Sequence, residues 1–111
     1  MRGALAAGVG GNMPGESSLR LKLLRALAGA GAHDEAEVEL RWLLEADSAA
    51  EFTKANAAYN LAFRLMLAGH KDRARKWFEF VVQQYADTHF AELARKNLDR
   101  GLKLPWEEMK R

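Results

Sequence analysis

The stretch LAGHKDRARKWF, residues 67–78, has the order of residues that reverses the direction of a helical chain. Gly69 favours the left-handed backbone conformation that ends helices, and Asp72 is a residue type that caps the next helix. Ala74 and Phe78 follow four residues apart, which puts a small and a large apolar side chain on one helical face. The stretch therefore predicts a helical hairpin whose turn lies at Gly69.

A second stretch, LAGAGAHDEAEVEL at residues 27–40, repeats this order, with Gly31 preceding Gly69 by 38 residues. In that register Leu23 aligns with Leu61, Leu27 with Leu65, Asp34 with Asp72, Ala36 with Ala74, Leu40 with Phe78, Leu43 with Val81 and Leu44 with Val82. Because turn and apolar positions recur together, we expect two copies of one helical hairpin.

The composition agrees with an all-helical domain. The 111 residues include two prolines and no cysteine, and 49% are hydrophobic and 29% charged, which is a globular balance. The predicted helices are residues 18–30, 34–44, 53–68, 72–85 and 90–101. We therefore expect an all-α fold of about five antiparallel helices in stacked hairpins. Residues 1–17 would form a flexible leader, 18–102 the helical domain and 103–111 a tail.

Apolar spacing predicts which face of each helix is buried. The expected core faces are Leu19, Leu23, Ala26 and Leu27 in the first helix; Ala36, Leu40, Leu43 and Leu44 in the second; Ala57, Ala58, Leu61, Ala62 and Leu65 in the third; Ala74, Phe78, Val81 and Val82 in the fourth; and Phe90, Ala94 and Leu98 in the fifth. The expected helix caps are Ser17 or Ser18, Asp34, Asp72, and Asp87 or Thr88.

The repeated hairpin resembles the tetratricopeptide repeat. The matching positions are Leu61, Ala62, Gly69, Ala74 and Phe78 in the second copy, and Leu23, Leu24, Gly31, Ala36 and Leu40 in the first. The junction VVQQYADTHFAELARKNL, residues 81–98, is similar to the one between repeats of bacterial tetratricopeptide proteins. The departures are Arg20 and Ala58 in place of an aromatic residue, and Ser48 and Ala86 in place of the closing proline.

This resemblance covers residues 18–102 and implies a short solenoid whose concave groove binds a peptide or a partner helix. An ordinary helical bundle whose hairpins share the same turn chemistry is the alternative fold. On the third helix, Tyr59, Phe63 and Met66 form a stripe beside the predicted core face, with Asn60 and Arg64 at its rim. These five residues are the predicted binding surface, unless the fifth helix or the tail folds over them as core.

Charge is uneven along the chain. Residues 1–47 carry five Lys/Arg against seven Asp/Glu, and residues 48–111 carry twelve against eight. Lys71, Arg75 and Lys76 form a candidate surface that steers anionic partners. A helical nucleic-acid-binding domain is the alternative function, and it would use Lys71, Arg75, Lys76, Arg95, Lys96 and Arg100.

The sequence contains no pattern typical of catalysis or of a cofactor site. His33 and Glu37 lie four residues apart, but no third metal ligand is evident nearby, so we interpret them as a helix start. A hydrolase or a metalloprotein would require a His/Asp/Glu cluster formed only in the fold. No apolar run reaches the length of a membrane span. We therefore expect a cytoplasmic, non-enzymatic module without cofactor or metal, which binds a protein, a peptide or its own copy as a homodimer.

Overall fold

The protein consists of five α-helices in a computed structural model that describes residues 16–47, 49–104 and 107. The helices are α1 (Glu16–Gly29), α2 (His33–Glu45), α3 (Glu51–Leu67), α4 (Lys71–Gln84) and α5 (His89–Asp99). The described residues contain no strand, so the all-α prediction is confirmed, and every helix end lies within two residues of its predicted position. None of these helices is both long and apolar enough to cross a membrane.

The predicted leader and tail fall largely outside this range. Residues 1–15, 48, 105, 106 and 108–111 are not among the described residues. Ser17 and Ser18, which we expected to cap the first helix, lie inside α1 because the helix already begins at Glu16.

The first two hairpins turn in the same way. Gly31 has φ of +87° and Gly69 has φ of +92°, and each glycine N–H donates to the carbonyl three residues earlier, at 3.1 and 3.0 Å. The next residue donates to the carbonyl five residues earlier, from Ala32 at 2.9 Å and from His70 at 2.8 Å. This pair of hydrogen bonds is the Schellman motif, which satisfies the last carbonyls of a helix. The predicted role of both glycines is confirmed, and Gly101 repeats the motif after α5.

The prediction that Asp34 and Asp72 cap the second helix of each hairpin is wrong. The N-cap residues are Ala32 and His70, and neither makes a side-chain cap hydrogen bond. The Schellman turn is so tight that the residue after the glycine is already the N-cap, which moves each aspartate into the first turn. Acidic residues there still favour the helix dipole. The predicted cap at Thr88 is confirmed, because its Oγ1 accepts a hydrogen bond from the backbone N–H three residues on at 3.3 Å.

The core is apolar and follows the predicted faces of the last four helices. Within these four helices, the residues with no exposed surface are Ala36, Leu40 and Leu43 in α2; Ala55, Ala57, Ala58, Leu61, Ala62 and Leu65 in α3; Ala74, Phe78 and Val81 in α4; and Ala91 and Ala94 in α5. Leu44, Val82, Phe90 and Leu98 pack against this core while partly exposed. Both copies of the repeat therefore bury equivalent positions, with Leu40 matching Phe78 and Leu43 matching Val81.

The predicted core face of α1 is wrong. Leu19 is 66% exposed and Leu23 is 45% exposed, whereas Leu24 and Ala28 are buried. The predicted face also included Ala26, which is exposed, and Leu27, which is half-buried. Leu61, the counterpart of Leu23, is fully buried because α3 has neighbouring helices on both sides. Among the described helices, α1 has neighbours only in α2 and α3, so one apolar stripe of α1 stays outside.

The helices pack as two successive hairpins and a closing helix. α1 pairs with α2 and α3 pairs with α4, α3 also packs against α1 and α2, and α5 packs against α4 and α3. The backbones of α2 and α4 do not come close to each other. Arg20 joins α1 to α2, since its Nη1 lies 2.8 Å from Glu39 Oε1 and its guanidinium lies 4.4 Å from the Trp42 ring centre. Arg20 thus contacts an aromatic ring at the position where the repeat pattern expects an aromatic residue.

Candidate functional site

The structure divides the predicted binding stripe on α3. Met66 is only 2% exposed and belongs to the core, so the prediction that it lies on a binding surface is wrong. Met66 lies in the last turn of α3, beside the tight hairpin turn, and its neighbours leave it no path to solvent. Tyr59 and Phe63 are half-buried and pack against the same core.

Tyr59 connects α3 to α4 and α5. Its ring centre lies 5.5 Å from that of Phe78 and 5.8 Å from that of Phe90, and the Asn97 amide donates to its hydroxyl at 3.2 Å. Burial raises the pKa of the Tyr59 hydroxyl, although the hydrogen bond from Asn97 opposes this shift. Tyr59 therefore acts mainly as a packing residue, as in the alternative in which the fifth helix covers the stripe.

The other two predicted residues, Asn60 and Arg64, line an open groove between α1 and α3. This α1–α3 groove has a volume of about 340 Å³ and is lined by Lys22, Arg25, Ala26, Ala28, Asn60 and Arg64. The small side chains of α1 leave the space, and long cationic side chains border it. At the end of α1, a Cβ built on Gly29 would lie 3.9 Å from the Arg64 guanidinium.

The electrostatic character of the α1–α3 groove is cationic. Lys22, Arg25 and Arg64 are exposed, and no carboxylate is among the described residues that line the groove. Within the described part of the chain, none of the three forms a salt bridge. Arginine and lysine groups without a partner bind carboxylates and phosphates through charge-assisted hydrogen bonds. The Asn60 amide donates to the Asn56 carbonyl at 2.8 Å, which orients its side chain along α3.

The basic residues of the opening stretch do not form one anion-binding patch. Lys71 Nζ lies 3.0 Å from Glu107 Oε1, and Arg75 Nη1 lies 3.4 Å from Asp72 Oδ1. Lys76 lies elsewhere, beside the cleft between α2 and α4. The predicted steering surface is thus divided, with two of its three members close to carboxylates that weaken their field.

His33 and Glu37 have structural partners. The His33 ring makes an edge contact with the His70 ring, with ring centres 5.3 Å apart, and Glu37 accepts from Arg41 at 2.9 Å and from Arg73 at 2.8 Å. Burial lowers the pKa of His33, and the nearby His70 lowers it further. No group of three or more potential metal ligands occurs among the residues that the structure describes.

Sequence reasoning missed Lys22 and Arg25. The predicted core face of α1 ran through Leu19 and Leu23, so the prediction did not bring these two cations beside Arg64. The sequence did contain a signal for the observed orientation, since Lys22, Arg25 and Ala28 follow at spacings of three residues and therefore share one side of the helix. Comparison with protein-family models, with curated proteins and with solved structures found no match to this chain.

Proposed function

We propose that this protein is a non-enzymatic protein–protein interaction module, a short tetratricopeptide-like solenoid of two repeats and a closing helix. The observation that carries the proposal is the α1–α3 groove, whose lining combines small apolar side chains with three exposed cations. A groove of this kind accepts an extended peptide or the side of a helix from a partner protein.

The repeated hairpin supports this interpretation of the groove. Gly31 and Gly69 make the same turn, and Ala36 and Ala74 are both fully buried where the two helices of each hairpin approach. Equivalent hairpins place their first helices side by side, and the α1–α3 groove lies between these two helices. The groove is thus a consequence of the repeat rather than a local irregularity.

The charges favour an acidic partner. Lys22, Arg25 and Arg64, which form no salt bridge with the residues that the structure describes, attract the carboxylates of an approaching partner, and this raises the rate of association. The same charges would attract nucleic acid, the alternative function. The protein partner is favoured because Lys71 and Arg75, which that alternative needs, lie beside acidic groups. We further propose a cytoplasmic setting, with which the absence of cysteine is compatible.

The test is affinity purification from a cell extract, with the wild type compared with a variant in which the charges of the groove are reversed. The variant carries Arg25→Glu and Arg64→Glu, and its matched control carries Arg95→Glu on α5 and Arg100→Glu directly after α5. All four arginines are exposed, so circular dichroism should show the same helical content for both variants. We expect partners that quantitative mass spectrometry finds on the wild type to be lost from the groove variant and kept by the control.

Two results would reject this proposal. If the groove variant kept every partner that the control keeps, the α1–α3 groove would not be the binding surface. If the material bound by the wild type were mainly nucleic acid, with steep salt dependence, the alternative function would replace it. Light scattering identifies the case in which the partner is a second copy of the chain, since the groove variant would then be monomeric.

A further inference from the structure

A second recess lies between α2 and α4, on helices that take no part in the α1–α3 groove. This α2–α4 cleft has a volume of about 390 Å³ and is lined by Glu37, Arg41, Arg73, Lys76, Trp77 and Phe80. It exists because the backbones of α2 and α4 stay apart, so that only side chains bridge the space between the two hairpins.

Aromatic rings form the apolar part of the α2–α4 cleft. Trp77 and Phe80 meet edge to face with ring centres 5.3 Å apart, and Phe80 makes a similar contact with Tyr85 at 5.8 Å. Trp77 and Phe80 are only partly buried. Each ring is therefore held by a neighbour while part of its surface remains open to a ligand, and aromatic rings held in this way are frequent anchors at interfaces.

The polar part of the cleft is cationic on its open side. Glu37 is the one carboxylate among the described residues that line the cleft, and both Arg41 and Arg73 donate to it. Its charge is therefore already compensated. The Arg41 side chain is still 65% exposed and lies 5.7 Å from the Trp77 ring centre. Lys76 is exposed and forms no salt bridge with the described residues.

We propose that the α2–α4 cleft is a second binding site, which takes a short acidic segment of a partner protein carrying one aromatic or large aliphatic side chain. The apolar side chain packs on Trp77 and Phe80, and flanking carboxylates pair with Arg41 and Lys76. This site goes beyond the proposed function, because its helices and lining residues are different from those of the α1–α3 groove.

The surroundings favour a short acidic peptide over nucleic acid. Asp34 holds Arg73 from outside the cleft and is 92% exposed, and Asp72 is 97% exposed at the start of α4. A duplex carries one charge about every 1.7 Å, so a strand that reached Lys76 would also approach these carboxylates. A peptide with a few acidic residues places its charges beside Arg41 and Lys76 alone.

The test measures binding of one labelled peptide by fluorescence anisotropy. The probe has one Phe at its centre and one acidic residue on each side, within a neutral peptide. One comparison probe replaces Phe by Ala, another replaces both acids by their amides, and a third is a thymidine oligonucleotide. We expect Lys76→Glu to weaken binding of the first probe about tenfold or more and Trp77→Ala to abolish it. Lys96→Glu, an equal charge change at an exposed site on α5, should have no effect.

The variants also separate the two sites. Arg25→Glu with Arg64→Glu removes any binding of the acidic probe in the α1–α3 groove and should leave the part of the binding that Lys76→Glu and Trp77→Ala remove. If that variant lost all binding while Lys76→Glu kept it, the probe would occupy the α1–α3 groove alone and the second site would be rejected. Equal binding of the amide probe, preference for the oligonucleotide, or no saturable binding of the acidic probe would each overturn the proposal. Lys76→Glu keeps the test valid if Trp77→Ala fails to fold, because Lys76 is exposed.

Discussion

Leu23 and Leu24 are adjacent on α1 but differ in burial, so the stability lost on replacing each one shows which face of this helix is buried. Leu24 has no exposed surface and Leu23 is 45% exposed. Removing a fully buried leucine side chain down to alanine costs about 3 to 5 kcal/mol, because the transfer energy and the cavity add. The same change at Leu23 removes three carbon atoms that are already partly in water, and at roughly 0.8 kcal/mol per buried carbon this costs about 1 kcal/mol.

The assay is urea and thermal unfolding of Leu24→Ala and Leu23→Ala, followed by circular dichroism. A difference of at least about 2 kcal/mol between the variants corresponds to about 8 °C or more in Tm for a domain of this size. Helix propensity changes equally in both variants, so it does not contribute to the contrast. Equal losses, or a larger loss for Leu23→Ala, would mean that α1 is rotated as its leucine spacing alone predicts. Lys22 and Arg25 would then rotate out of the groove, and the proposed function would lose its main support.

Three further predictions concern two glycines and two titratable groups. Gly69→Ala should destabilise the protein by about 1 to 2 kcal/mol, because φ is +92° and the left-handed conformation costs an L-residue that amount; no clash adds to this, since no atom lies within 4 Å of the new Cβ. Gly29→Ala inside α1 should instead stabilise the protein by about 0.5 to 1 kcal/mol, and urea unfolding that gave both changes the same sign would contradict this. Since burial lowers the pKa of His33, the folded state favours neutral imidazole, and the resulting stability is present above pH of about 6.5 and lost as the pH falls through the folded pKa. Nuclear magnetic resonance should give an imidazole pKa below that ordinary value, and one above it would be contrary to the burial argument. Tyr59→Phe should cost about 0.5 to 1.5 kcal/mol and reduce the loss of stability at alkaline pH, because burial raises the pKa of this hydroxyl; an unchanged alkaline unfolding curve would argue against that assignment.

The helices could be predicted because their ends depend on local chemistry. A glycine that must adopt positive φ ends a helix wherever it occurs, so Gly31 and Gly69 located both turns. Thr88 identified its cap for a similar reason, since a hydroxyl hydrogen-bonds to the backbone a few residues away. The same local logic misplaced Asp34 and Asp72 by two residues, because a turn already closed by backbone hydrogen bonds needs no side-chain cap.

Which face of a helix is buried depends on its neighbours, and this is where sequence reasoning failed. The α1 sequence has two leucine stripes, one through Leu19 and Leu23 and one through Leu21 and Leu24, and spacing alone cannot rank them. Met66 shows the same difficulty on α3, since its burial requires neighbouring helices on both sides of α3. The α2–α4 cleft could not be foreseen at all, because Trp77 and Arg41 come together only when two hairpins are placed side by side.

The salt bridges show which cationic side chains lie beside a carboxylate and which do not. Arg20, Arg73 and Lys71 each pair with carboxylates of the described chain, and such surface pairs add at most about 1 kcal/mol each to stability. Each pair also places a carboxylate beside a cation and weakens the positive field there. Lys22, Arg25 and Arg64 in the groove, and Lys76 in the cleft, form no salt bridge with the described residues, so their field extends over a Debye length of about 10 Å. Other exposed cations, such as Arg95 and Lys96 on α5, share this property, but in the two recesses such charges stand beside apolar side chains. Under the proposed function we therefore expect an acidic partner to bind at the recesses, although the formal net charge is only +2.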